Sequence, residues 1–218
     1  MEPFNPPRVI ETDKLWLRPF VESDAEQFYY ALFGDPAVTE WLPIRTLESV
    51  DEARAYIAQC EKGWNNRTLF TWALEDKQTG HLCALIELRP CLPRVELGVA
   101  TTQRPGWRRL RAATEAMCKL IDWTLAQPNI YRIFVCCSPH GKSAPLMERI
   151  GFTFEGRLTN WEARPNRGLE ADDALIFART RVPPPLDSTP LKKDEQIDQR
   201  GTGSTLEDTP SRQLQLCN

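Results

Sequence analysis

The chain has 218 residues, a net charge of −3 and no apolar run long enough to cross a bilayer. That balance gives no general attraction to nucleic acid, and the opening Met1-Glu2-Pro3-Phe4-Asn5-Pro6-Pro7 lacks the charged and apolar regions of a signal peptide. Seven cysteines, odd in number and without even spacing, read as reduced thiols in a cytoplasmic setting.

The length could hold one or two domains, but the patterned part, residues 1–181, is nearer one domain's worth. Residues 14–20 set Leu15, Leu17 and Pro19 against Trp16 and Arg18, the period of a strand. Ser23-Asp24 can cap a helix whose apolar face is Phe28, Leu32 and Phe33, and Asp35-Pro36 breaks it. Thr46 or Ser49 can start a second helix through Val50, Ala53, Tyr56, Ile57 and Cys60, ending near Gly63. Residues 69–76 and 81–88 read as two alternating strands joined by Lys77-Gln78-Thr79-Gly80, a hairpin signal.

Residues 94–126 carry the first chemical signal. A strand at 95–100 runs into a turn bearing Arg108, Arg109 and Arg111, and a helix is predicted from about Ala112. Its apolar positions Ala113, Ala116, Met117, Leu120, Ile121 and Leu125 keep the spacing of a core-facing face. The first N–H groups of a helix have no partner inside it, and the macrodipole places partial positive charge there. Guanidiniums beside such N–H groups suit a ligand with several phosphates. A run of arginines in a turn is also what a solvated loop looks like.

Residues 131–156 carry the second. A buried-type strand at 133–137 meets a turn, then a short helix at about 143–150 stopped by Gly151, and a new strand begins at Phe152. Residues 155–162 and 169–179 read as a closing hairpin around Asn166-Arg167-Gly168. Two other motifs fail. Gly141-Lys142-Ser143 lacks the upstream glycine of a phosphate-binding loop, since Cys136 holds that place. Cys137-Ser138-Pro139-His140 has no partner pair for zinc, so no metal is expected.

Taken in order, Glu96-Leu97-Gly98, the helix entry Ala113-Thr114-Glu115-Ala116, and Ser143 followed by Gly151-Phe152 and Glu155-Gly156 resemble the GNAT superfamily of acetyl-CoA-dependent N-acetyltransferases. Within it the RimJ/RimL-like branch is the nearest, since residues 11–20 are similar to its opening strand and 171–177 to its closing strand. The resemblance covers about residues 9–181. It implies an α/β fold: a mixed, mostly antiparallel, seven-stranded sheet split by the cofactor, with about four helices. It implies transfer of an acetyl group from acetyl-CoA to a primary amine by direct attack in a ternary complex. The acceptor is expected to be a small molecule or a peptide N-terminus, on a monomer or homodimer, with no nucleic acid and no membrane.

The resemblance also implies roles. Glu96 is the first candidate for general base and Glu87 the second; either is equally a solvent-facing strand carboxylate. A base is needed because the attacking amine must be neutral, which at pH 7 costs roughly 4 to 5 kcal/mol for a lysine and about 1 for an α-amine. Backbone groups of Leu97, Gly98 and Val99 would hold the thioester and pantetheine arm. Arg104, Arg108, Arg109, Arg111 and the N–H groups at Ala112 would hold the diphosphate. Ser143, or a water, would protonate the leaving thiolate, and His140 stands where the family has Asn, as a cofactor contact or a turn histidine. Trp41, Trp64 and Phe70 line the acceptor wall or the core. The family's glycine-rich loop is absent here: Arg109 and Arg111 stand at the glycine positions. That departure supports an alternative, a catalytically impaired module of the same fold that binds CoA or a protein partner. Residues 182–218, with Pro183-Pro184-Pro185, scattered charge and hardly an aromatic residue, read as a disordered tail.

Overall fold

A computed structural model describes residues 4–182, so the expectation for the tail beyond Val182 lies outside the described residues. Among the described residues, eight strands form one sheet: β1 (Ile10–Glu11), β2 (Leu15–Arg18), β3 (Phe70–Asp76), β4 (Leu82–Cys91), β5 (Arg94–Thr101), β6 (Arg132–Cys137), β7 (Thr153–Arg164) and β8 (Leu169–Thr180). Their order across the sheet is β1-β2-β3-β4-β5-β6-β8-β7. Every neighbouring pair is antiparallel except β5 and β6. The mixed, mostly antiparallel sheet is as expected; the eighth strand is β1, two residues paired with Leu17 and Trp16. So short a strand has too little pattern to be read from sequence.

The helices are α1 (Ala25–Phe28), α2 (Pro36–Thr39), α3 (Val50–Asn66), α4 (Leu110–Leu125) and α5 (Ala144–Arg149). The first does not run unbroken: a 3-10 turn at Glu22–Asp24 precedes it and a π turn at Tyr29–Phe33 follows. Asp35-Pro36, expected only to end that helix, starts α2. The Asp35 carboxylate accepts the Ala37 N–H at 2.9 Å, and Pro36 takes the first helical position, where no N–H is needed. Ser49 caps α3 by accepting the Glu52 N–H.

The sheet is covered on both faces. On one, Trp64, Trp72, Ile86, Leu88, Val95 and Leu97 pack with the apolar stripe of α4; on the other, Phe28, Leu32, Ala53 and Ile57 pack on Ala73, Leu85 and Ala100. Because β3 and β4 are buried on both sides, they do not alternate between exposed and buried positions as their pattern suggested. Phe70–Leu74 and Leu82–Leu88 are buried almost without a break. Each large side chain so removed from water contributes about 1.5–3 kcal/mol. Trp64 and Phe70 belong to this core, their rings 5.0 Å apart and edge to face. Trp41 stays partly exposed.

The feature that positions the site is the parallel pair. β5 and β6 are in register only at Arg94–Arg132, Val95–Ile133 and Glu96–Phe134. Beyond these, residues 97–101 remain paired to β4 alone, and residues 135–137 to β8 alone. The sheet divides immediately after Glu96.

Candidate active site

In an antiparallel pair, residues directly opposite share a face. The register sets Glu87 opposite Gly98 and Arg89 opposite Glu96, so two carboxylates and a guanidinium meet on one face, next to the division of the sheet. Glu87 is 7% exposed and accepts a 2.8 Å bond from the Arg89 guanidinium. Burial raises the Glu87 pKa, opposed by Arg89 and reinforced by the charge of Glu96. Glu96 is only partly buried; burial raises its pKa too, with Arg89 lowering it and the charge of Glu162 raising it further. From α3, Tyr56 and Cys60 face the same cluster. Burial and then the charge of Glu87 push the Tyr56 pKa up, while burial pushes the Cys60 thiol up to about 11. A glycine is required at 98: a Cβ there would lie 2.8 Å from Cγ and 2.9 Å from Oε1 of Glu87.

The far bank of the division is built by β7 and β8. Their register shifts between Leu158 and Glu162, where Asn160 takes φ 51° and donates its N–H to Asp173 Oδ1 at 2.9 Å. Such a bulge re-aims the side chains that follow it. Trp161 is left 56% exposed, close to the Cys136 thiol, and Glu162 joins Arg164 at 2.8 Å. Arg164 is 1% exposed and also stands 3.5 Å from Asp172. His140 lies 3.9 Å from Asp172 with its ring 5.2 Å from that of Trp41, and the Arg167 guanidinium lies over the Trp41 ring, 4.9 Å from its centroid. Asn166 ties this hairpin end to residues 39–46 through the Thr39 and Ile44 carbonyls and the Thr46 N–H.

At the end of β5, α4 begins at Leu110, two residues before the predicted start. Its N-cap residue is Arg109 and no side chain caps it, so its first-turn N–H groups have no side-chain acceptor. Arg108, Arg109, Leu110 and Ala113 line a shallow surface dent with Cys83, Thr101 and Thr102, without enclosed room for a water molecule. The four arginines do not converge on it. Arg111 is 94% exposed and pairs with Glu115 one turn on. Arg104 donates to the Tyr30 carbonyl at 2.8 Å and lies 5.4 Å over the Trp107 ring. Arg109 ion-pairs with Asp76 and donates to the Gly106 carbonyl. Arg108 is exposed.

Ser143 is exposed at the N-cap of α5 near the Cys137 thiol, whose pKa is raised by burial. Leu97 is buried, whereas Gly98 and Val99 are partly exposed along the unpaired edge of β5. Arg89, Tyr56, Glu162, Arg164, Asp172 and Asp76 were not singled out in the sequence. Arg89 had a signal, since it stands two residues from Glu87 and so on the same strand face; the others come together only through long-range pairing.

The acetyltransferase (GNAT) domain family matches residues 14–153. A curated relative, the uncharacterized N-acetyltransferase YoaA of Bacillus subtilis (strain 168), is 26% identical over 157 residues, covering 70% of this chain and 87% of its own. Solved structures that share the fold include two ribosomal-protein acetyltransferases. A putative ribosomal-protein-serine acetyltransferase from Vibrio cholerae superposes with a TM-score of 0.67 at 19% identity, over 82% of this chain and 100% of the other. RimL, a ribosomal L7/L12 alpha-N-protein acetyltransferase held with coenzyme A, superposes with a TM-score of 0.67 at 14% identity, over 79% and 97%. The matches define an acyltransferase. More narrowly, the chain belongs to the GNAT acetyltransferase family, and its fold neighbours include ribosomal-protein acetyltransferases of the branch its sequence resembles.

Proposed function

We propose that the protein transfers the acetyl group of acetyl-CoA to a primary amine, of a small molecule or a peptide N-terminus, by direct attack in a ternary complex. The observation that carries this reading is the division of the sheet directly after Glu96, with the uncapped start of α4 at the end of the same strand. Such a helix start offers N–H groups and partial positive charge; Arg104 and Arg108 stand in the adjoining turn and Arg111 is the second helical residue. These groups fit a diphosphate. The N–H and carbonyl groups of Leu97, Gly98 and Val99, freed from β6, fit the amide-bearing pantetheine arm.

When bound, acetyl-CoA supplies the activated acyl group; the chain's own residues supply the proton handling. Glu96 takes the proton of the incoming ammonium. Its raised pKa brings it closer to that of the amine than an ordinary carboxylate, which eases the transfer. Glu87 and Arg89 lie behind it, Arg89 opposite Glu96 and bonded to Glu87, and fix the charge around it. Ser143, or a water beside it, returns a proton to the sulfur. This demand is small, because a thiol titrates near 8.5. Trp41, Trp161, Glu162 and Asp172 form the acceptor side.

The test is calorimetry with acetyl-CoA followed by thiol release on a panel of amines and short peptides. Binding with amine-dependent release is expected; absence of both overturns the reading. Glu96→Gln is expected to lower kcat at neutral pH by about 100-fold and to recover partly as pH rises and the amine loses its own proton. An unchanged rate would move the base to Glu87.

A further inference from the structure

A turn without the family's glycines still has to hold the start of α4 in place, and the structure shows what does so. The end of the β3–β4 hairpin is organised by Asp76, whose side chain is 6% exposed. Its main-chain N–H donates to the His81 carbonyl at 2.9 Å and its carbonyl accepts from Gly80 at 2.8 Å. The two carboxylate oxygens divide the work. Oδ1 accepts the N–H groups of Gln78 at 2.8 Å and Thr79 at 3.2 Å, and Oδ2 holds the Nε of Arg109. Arg109 then donates through Nη1 to the Gly106 carbonyl at 2.7 Å and the Arg108 carbonyl at 3.3 Å. Its guanidinium is thereby bonded to a strand on one side and to its own turn on the other.

Two further contacts join the same parts. The His81 ring stacks on Trp107 at 3.9 Å and 11°. Arg104 lies over the same Trp107 ring and donates to the Tyr30 carbonyl. Residues 104–109 are therefore fastened to the β3–β4 hairpin and to the turn at Tyr29–Phe33 by side chains, where glycine would have let the backbone fold down by itself.

We propose that Asp76 is a positioning residue for acetyl-CoA binding: through Arg109 it sets the N-cap of α4 and the turn before it, and Arg109 acts as a strut and not as a ligand of the diphosphate. The inference rests on the cofactor site proposed above. A guanidinium already held by a buried carboxylate and two carbonyls has few donors left for phosphate, since Arg carries five in a fixed fork. Asp76 lies at the far end of β3 and touches neither the amine nor the acyl group.

The experiment is a double-mutant cycle on the full chain, reading the acetyl-CoA dissociation constant by calorimetry. Asp76→Asn keeps an acceptor for Gln78 and Thr79 but removes the charge that holds Arg109. It and Arg109→Ala are each expected to raise the constant about 10-fold, and the double mutant is expected to be no weaker than either single one. The KM for acetyl-CoA rises with it, whereas the KM for the amine does not. A strut also leaves the salt dependence of binding as in the wild type, while loss of a phosphate contact flattens it. Wild-type affinity in Asp76→Asn overturns the proposal. So does an Arg109→Ala effect that persists in full in the Asp76→Asn background with a flattened salt slope. If Asp76→Asn is too unstable to titrate, the salt slope of Arg109→Gln decides alone. Failure of the wild type to bind acetyl-CoA counts instead against the proposed function.

Discussion

Glu87 is buried beneath Gly98 with one guanidinium for company, and that placement couples the site to pH. Burial holds its pKa above the ordinary carboxylate value, despite Arg89. The folded chain therefore keeps this proton after the unfolded chain has released it. Stability falls as pH rises through the interval between the two values, because the native state binds more protons there. Glu96 adds in the same direction. Glu87→Gln, which cannot ionise, is expected to flatten the decline in urea midpoint above about pH 4.3, the unfolded value. A midpoint that declines as steeply in the variant would show that Glu87 does not titrate in this window. Asp76 has the opposite sign. Burial would raise it, but the N–H groups of Gln78 and Thr79 and the Arg109 guanidinium outweigh that and lower it, so its contribution is present at neutral pH and lost as pH falls through its folded value.

At the scale of single elements, α3 shows how a cap departs from what sequence suggests. Gly63 reads as its end, yet the helix runs on to Asn66 and closes on Arg67 in the left-handed region, φ 58°. Gly63 is kept small by packing: a Cβ there would lie 2.7 Å from that of Leu69. A left-handed residue with a side chain costs about 1–2 kcal/mol relative to glycine. Arg67→Gly is therefore expected to raise stability by roughly 1 kcal/mol, read as a higher urea midpoint with an unchanged m-value, since Gly favours this cap. An unaltered or lower midpoint would mean that the Arg67 side chain supplies contacts of equal worth. α4 shows the reverse case, a helix whose start is read late. Its apolar stripe marks Ala113 onward, but a first turn of Leu110, Arg111 and Ala112 has only one buried member, Ala112, and so leaves little apolar period to read.

For the whole molecule, ligand binding and stability are linked. A ligand that binds only the folded chain, at about 100 times its dissociation constant, adds roughly 2.7 kcal/mol. For a chain of this size that corresponds to a rise in Tm of about 5–10 °C. Acetyl-CoA is expected to produce this shift, whereas an equal concentration of a simple diphosphate is expected to give less, since it lacks the arm proposed to pair with the β5 edge. Equal shifts would place the binding energy wholly at the start of α4.

Seven of the eight strands, the order of the chemical stretches and the family are legible in the sequence, because periodicity and turn residues act over a few positions and survive in a linear reading. It marked Glu96, Glu87 and Gly98 through one short stretch and its neighbour. The tertiary structure decided which of these meet: Arg89 against Glu96, Glu162 near Glu96 across the division, and Arg109 on Asp76 instead of beside Arg111. Register and ion pairing join residues tens of positions apart. No local pattern encodes whether a guanidinium turns to a buried carboxylate or to water.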